Sequence, residues 1–256
     1  RSYNGLVFRL KEHIDRLYET LHTLMIAMPI DRKKMMGLVV ETLKKNKLKD
    51  AYIRLIVTRG EGDLGLDPKK CYGKPGIIII ADKIKLYPEE FYQKGMEIIT
   101  VPTIRNCAEA INPRLKSLNY LNNILAKIEA SNSGYLEAIM LDPQGYVAEC
   151  TGDNIFMVKN NILSTPSQGR LEGITRDAVL QLAKQRKIEV SERLITRHEV
   201  YVADECFLTG TAAEIIPVVK VDGRVIGNGK PGGLTQAIMK SFRYLTKKDG
   251  VKYQVS

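Results

Sequence analysis

Apolar residues in this chain recur at two spacings, and the switches between them mark out its elements. Residues 6–8 read as the tail of a strand. Leu10, Ile14, Leu17 and Leu21 then fall at helical spacing and predict an amphipathic helix over 10–25. Asp31 is a good N-cap for a second helix, whose inward face takes Met36, Val39, Val40 and Leu43. Alternation over 51–58 predicts a strand with Tyr52 and Arg54 on one face. The glycine-rich stretch 60–68 must be a loop, and 76–81 and 96–101 are continuous apolar strands. Pro113 pushes Asn112 towards an extended backbone, after which Leu118, Leu121, Leu125 and Ile128 predict a helix opening just after Lys116. That places Lys116 at a loop-to-helix junction, with Tyr120 able to face the same way. Four strands follow over 137–141, 146–149, 154–158 and 162–165. A helix runs from 173–175 to about 187, and strands come near 188–190, 205–208 and 216–221. A last helix over 234–246 packs through Leu234, Ile238, Phe242 and Leu245.

The pattern is α+β: a small N-terminal α/β domain over 1–102, a connection over 103–112 with few periodic signals, and a larger strand-rich domain over 113–256. Composition fits a globular protein, with 44% apolar and 27% charged residues. No apolar run approaches the ~20 residues that span a bilayer, so no membrane partner is expected. Cys71, Cys107, Cys150 and Cys206 are too scattered for a disulfide framework or a metal site, and a reducing cytoplasm fits them best. The net charge of +10 is densest at Lys44, Lys45, Lys47 and Lys49, at a helix end where cations also favour the dipole. Basic residues elsewhere are not interleaved with aromatics, so no nucleic-acid partner is expected.

Two short runs could hold an anion. Gly173-Ile174-Thr175 opens a helix whose first turn presents unpaired N–H groups, although simple capping by Thr175 is the commoner use of such a threonine. Thr209-Gly210-Thr211-Ala212-Ala213 follows a strand and could form a second nest of N–H groups, or only a tight turn. Glu149, on a strand face shared with Val147, reads either as a partly buried carboxylate that needs a charged or hydrogen-bonded partner or as an exposed carboxylate at a strand end, and periodicity leaves both open. Together with a fixed lysine, these runs suggest a site for a phosphorylated ligand.

The segments Arg114-Leu-Lys-Ser-Leu-Asn-Tyr-Leu-Asn-Asn123, Glu149-Cys-Thr-Gly-Asp-Asn-Ile-Phe156, Glu172-Gly-Ile-Thr-Arg-Asp177 and Thr209-Gly-Thr-Ala-Ala-Glu214, in this order, resemble the class IV (fold type IV) pyridoxal-phosphate aminotransferases. The resemblance is strongest to the branched-chain amino acid aminotransferases of bacteria and archaea. It implies the two-domain fold of the D-amino-acid transaminases and pyridoxal 5′-phosphate as cofactor. Lys116 matches the lysine that forms the Schiff base with the cofactor and shuttles the proton. Glu149 matches the carboxylate facing the pyridine nitrogen, Tyr120 the hydroxyl on the 3-oxygen, and Arg16 a phosphate arginine. Gly173, Ile174 and Thr175 match the helix start that holds the phosphate. Asn154, Gly210 and Thr211 complete the cofactor set.

For the substrate, Tyr52 and Arg54 match the pair that lets one pocket take both glutamate and apolar side chains. Leu64 and Leu66 match a loop that lines the pocket of the neighbouring subunit, and Thr211 and Ala212 match the turn that meets the substrate carboxylate. The expected partners are therefore amino acids, 2-oxo acids and further copies of the chain in a homodimer or higher homo-oligomer. Alternatives on the same fold are a D-amino-acid transaminase and an aminodeoxychorismate lyase; a rival from another class is a non-catalytic basic binding protein. Against the family, 165–170 is short, and a further segment is expected ahead of Arg1, which leaves the small domain N-terminally incomplete.

Overall fold

The structure, a computed structural model, describes residues 1–84 and 86–255. It divides into two compact units. One takes Arg1–Ile84 together with the C-terminal stretch from Leu245; the other runs up to Tyr244.

The first unit begins with β1 (Ser2–Tyr3) and β2 (Leu6–Phe8), followed by α1 (Leu10–Thr23), α2 (Arg32–Lys45), β3 (Tyr52–Thr58) and β4 (Gly76–Asp82). β2 pairs antiparallel with β1 and with β14 (Gly250–Lys252), which brings the chain's end back to its start. Tyr253 locks that return by hydrogen-bonding Ser2 Oγ at 2.8 Å and Leu48 O at 2.6 Å. The inward stripe of α1 is the expected one. On α2 it is Met35, Val39 and Leu43; Met36 is only half-buried. Asp31 caps α2 as expected, accepting from the Lys34 N–H at 2.7 Å. β3 and β4 pair antiparallel along seven residues, with Ile53, Leu55, Val57, Ile77, Ile79 and Ala81 turned towards the helices.

The second unit holds α3 (Glu89–Lys94), β5 (Met96–Thr100), α4 (Ala108–Ile111), α5 (Leu121–Asn132), β6 (Ala138–Leu141), β7 (Val147–Cys150), β8 (Asn154–Lys159) and β9 (Ile162–Pro166). There follow α6 (Ile174–Gln185), β10 (Val190–Arg193), α7 (Arg197–Tyr201), β11 (Glu205–Gly210), β12 (Glu214–Val221), β13 (Arg224–Val225) and α8 (Gly233–Leu245). Among the described residues its strands form one mixed sheet in the order β10-β9-β8-β11-β12-β5-β6-β7, with β13 on β12. The sheet curls, so that β7 runs straight into β8 and the Cys150 N–H meets the Asp153 carbonyl at 2.8 Å. Its centre is apolar on both faces, where Phe156 and Phe207 stack with centroids 5.0 Å apart.

β5 lies parallel between β12 and β6, so it belongs to the large sheet. The division therefore falls before residue 85, earlier than the expected connection at 103–112, and that stretch lies inside the second unit. A continuous apolar run such as 96–101 has no periodicity to say which sheet takes it. The C-terminal stretch likewise returns to the first unit instead of ending in the second. Phe207→Ala should cost about 3–5 kcal/mol in chemical denaturation, since the ring is fully buried against Phe156.

Candidate active site

Glu149 sits in β7, whose four residues are all buried. A buried carboxylate must be compensated, and here the compensation comes from three separate segments. Arg105 Nε donates to Oε1 at 2.9 Å, and both side chains are under one-tenth exposed. Asn154 Nδ2, at the start of β8, donates to Oε2 at 3.1 Å, and the Leu171 N–H donates to the same oxygen at 3.0 Å. Burial pushes the Glu149 carboxyl above its usual range, while Arg105, the Leu171 N–H and the Lys116 charge pull it back down. Arg105 is itself oriented by Asn122 Oδ1 at 3.1 Å and by Asn106. Asn122 also donates to the Ile104 carbonyl, and Asn123 donates to the Thr151 carbonyl. The polar residues interleaved in α5 thus tie the lysine segment to the Glu149 strand.

Sequence reasoning required a partner for Glu149 but missed Arg105. That residue lies in an aperiodic loop where only a solved backbone shows which way a side chain turns. Leu171 was missed for the same reason, and Asn122 because helical spacing does not say which partner a polar residue of α5 meets.

Lys116 is placed differently from expectation. α5 opens at Leu121 with Tyr120 as N-cap, so 113–119 is irregular chain. Leu118 sits at φ +67°, an uncommon conformation for a leucine, and the Tyr120 N–H bonds back to the Leu118 carbonyl at 3.0 Å. This tight reversal brings Lys116 Nζ to 5.7 Å from the Tyr120 ring centroid. The predicted inward stripe is also reversed. Leu121, Leu125 and Ile128 are 64%, 48% and 49% exposed, and α5 packs through Ala126 and Ala130 instead. Helical spacing identifies an apolar face but not what covers it.

α6 starts with Gly173 as N-cap, a residue with no side chain to cap its first-turn N–H groups. Thr175 lies buried inside the first turn, so the capping alternative is not what forms. A Cβ on Gly173 would sit 2.1 Å from Asn154 Oδ1, and one on Gly210 would sit 2.0 Å from Asp153 Oδ1. Glycine is therefore needed in both runs for close packing. Thr211 and Ala212 form the turn between β11 and β12, and Thr209 Oγ1 is buried beside it without a hydrogen-bond partner among the described residues. The second unit thus gathers Lys116, Tyr120, Glu149, Asn154, Gly173, Ile174, Thr175, Gly210, Thr211 and Ala212.

Arg16 on α1, Tyr52 and Arg54 on β3, and Leu64 and Leu66 belong to the first unit. Arg54 is exposed on the outward face of β3, and both leucines are essentially fully exposed. The stretch 165–170 is continuous and tightly held: Arg170 is buried, with Nε on the Pro166 carbonyl at 2.6 Å and Nη1 at 2.7 Å from Glu172. It delivers the Leu171 N–H to Glu149 without a longer loop.

These features fit pyridoxal phosphate. An uncapped helix start suits its phosphate, a buried carboxylate with an ion-pair partner suits its ring nitrogen, and the orphaned Thr209 hydroxyl leaves a polar atom to satisfy.

Arg105→Met should destabilise the protein by about 3–5 kcal/mol at neutral pH by leaving Glu149 buried without a cation. Its loss would raise the folded-state Glu149 pKa further, so the deficit should be small in acid, where Glu149 is protonated in both states. It should grow as pH rises through that raised value, which denaturation series at several pH values would follow. Gly173→Ala should cost about 1–3 kcal/mol by overpacking against Asn154, read by thermal unfolding.

Residues 1–221 match the sequence model of the class IV amino-transferases. The chain is 52% identical over 254 residues to a Methanocaldococcus jannaschii protein provisionally named a branched-chain-amino-acid aminotransferase, covering 98% of this chain and 87% of the other. The crystal structure of the Escherichia coli branched-chain amino acid aminotransferase superposes with a TM-score of 0.92 at 35% identity, covering 98% and 84% of the two chains. The branched-chain amino acid aminotransferase of Thermobaculum terrenum, solved in its PLP-form, gives a TM-score of 0.87 at 30% identity, covering 97% and 83%. The motifs, the curled sheet and these matches converge: the chain belongs to the class IV amino-transferases and is a pyridoxal-phosphate-dependent transaminase.

Proposed function

We propose that the enzyme passes the amino group of L-leucine, L-isoleucine or L-valine to 2-oxoglutarate, in two half-reactions that share one pocket. One observation carries the substrate class. On the outward face of the β3–β4 pair, Arg54 stands opposite Ile80 and Ile56 opposite Ile78, with Ile78 and Ile80 each about half exposed. A single guanidinium set among isoleucines suits a ligand that alternates between a carboxylate-bearing side chain and an apolar one. The M. jannaschii, E. coli and T. terrenum relatives, all named for branched-chain amino acids, support the same reading.

Bound pyridoxal phosphate supplies the carbonyl that takes up the amino group and the ring that accepts electron density. The chain's own residues do the rest. The Lys116 amine holds the cofactor and, once released, moves a proton through Nζ. Glu149 keeps the ring nitrogen protonated, and Arg105, Asn154 and the Leu171 N–H hold that carboxylate in place. The Tyr120 hydroxyl orients the ring's 3-oxygen. The N–H groups of Ile174 and Thr175, with Gly173 and Gly210 allowing close approach, hold the phosphate together with Thr211. The N–H groups of Thr211 and Ala212 take the substrate carboxylate. Arg16 and Tyr52 keep the roles that the family resemblance gives them.

A homo-oligomer is supported by the apolar, exposed face of α5 and by Leu64 and Leu66. A cytoplasmic setting is supported by four cysteines that are all free thiols.

Borohydride reduction after loading with pyridoxal phosphate should label Lys116, located by mass spectrometry; a label on another lysine refutes the assignment. Glu149→Gln should keep bound cofactor and lose transamination by orders of magnitude, whereas wild-type turnover would remove Glu149 from the mechanism. Single-turnover conversion of the cofactor by L-leucine but not by D-alanine should separate the proposed activity from a D-amino-acid transaminase.

A further inference from the structure

Behind the Glu149 strand, the second unit buries a group of acidic residues that the scheme above does not use. Tyr87, Glu137 and Asp153 are at most 5% exposed. The Tyr87 hydroxyl lies 3.1 Å from Asp153 Oδ2 and 3.3 Å from Glu137 Oε2, so its one proton faces two carboxyl groups. The two acids are unequally served. Glu137 Oε1 accepts from the Ala138 N–H at 2.8 Å, the Thr151 N–H at 2.9 Å and the Thr151 hydroxyl, and Lys127 Nζ is 3.6 Å from Oε2. Among the described residues, the Asp153 side chain receives a hydrogen bond from Tyr87 alone.

Two buried carboxyl groups on one phenol do not both ionise readily, and the proton resides on the poorly served member. Burial, and then the Glu137 charge, push Asp153 up to about 7, with Glu149 adding in the same direction and Tyr87 and Lys127 opposing. Burial beside the same carboxylates raises Tyr87 and Cys150, which keep their protons.

Asp153 also touches the ligand side. Its Oδ1 occupies the space that Gly210 leaves open, and Gly210 leads directly into the Thr211–Ala212 turn. A negative charge on Asp153 would therefore appear directly behind N–H groups assigned above to anions.

We propose that Asp153 is a positioning residue: neutral, it backs the Thr211–Ala212 turn, and on ionising it weakens that turn's hold on an anionic ligand. This rests on the proposed role of the turn. In an aminotransferase it would tie affinity for the acid substrates to pH through a group that touches neither substrate nor cofactor.

The test compares the holoenzyme with Asp153→Asn, a neutral near-isostere, and Tyr87→Phe. For the wild type, KM for 2-oxoglutarate should rise between pH 6 and 8.5 on the order of fivefold, the lower end of ordinary coupling between sites. Asp153→Asn should hold the low value throughout. Tyr87→Phe removes the bond that lowers the Asp153 pKa, so its rise should move to higher pH. Unfolding midpoints taken without substrate give a second readout. A carboxyl raised in the folded state contributes stability in acid that is lost as pH rises, so Asp153→Asn should gain on the wild type between about pH 4 and 7 and level off above.

Parallel KM profiles for wild type and Asp153→Asn overturn the coupling, and parallel stability profiles overturn the proton's location; both leave the transaminase assignment standing. An enzyme that transaminates no branched-chain amino acid at any pH overturns the proposed function and this inference with it.

Discussion

The ion pair between Arg105 and Glu149 is the constraint around which the larger unit is arranged. A carboxylate in a fully buried strand is costly unless a cation and further donors surround it. Supplying them fixes the loop after β5, the first residue of β8 and the segment before α6 at one point in space. The same donors hold the Glu149 carboxylate in one orientation, as its proposed role towards a cofactor ring nitrogen requires. On the proposed function, the energetic requirement of the fold and the chemical requirement of the cofactor are met by one set of contacts.

Several features follow from that arrangement. Gly173 starts α6 where any larger residue would strike Asn154, so the start of that helix and the amide that holds Glu149 are packed as one piece. Arg170 draws the short segment before α6 inward and places the Leu171 N–H. Asn122 ties the Lys116 segment to Arg105, so the lysine and the carboxylate share a rigid frame. Behind them the Tyr87, Asp153 and Glu137 group buries more acid against the turn after β11.

What the chain's pattern revealed was uneven, for physical reasons. Amphipathic helices such as α1 and α6 were readable because their spacing sets the buried face, and strands such as β8 and β9, buried on both faces, because turn residues bound their apolar runs. The four motifs pointed to the lysine, the carboxylate and the two glycine-containing runs that the proposed function uses. Three things were not readable. β5 belongs to the large sheet because of tertiary pairing with β12 and β6, which a uniformly apolar run does not encode. The start of α5 is delayed by a left-handed Leu118, a conformation that no propensity assigns to leucine. Arg105 lies in an aperiodic loop, and its role comes from long-range geometry. The exposed leucines of α5 show the limit from the other side: helical spacing identified an apolar face, and the isolated chain does not bury it.

On the proposed function, Arg105 keeps Glu149 charged, and that charge keeps the cofactor's ring nitrogen protonated. The ¹⁵N NMR shift of ring-labelled pyridoxal phosphate in the enzyme reads this directly. The wild type should show a protonated pyridinium shift, and Arg105→Met a shift towards neutral pyridine. A neutral ring nitrogen in the wild type, or an unchanged pyridinium signal without Arg105, would contradict it.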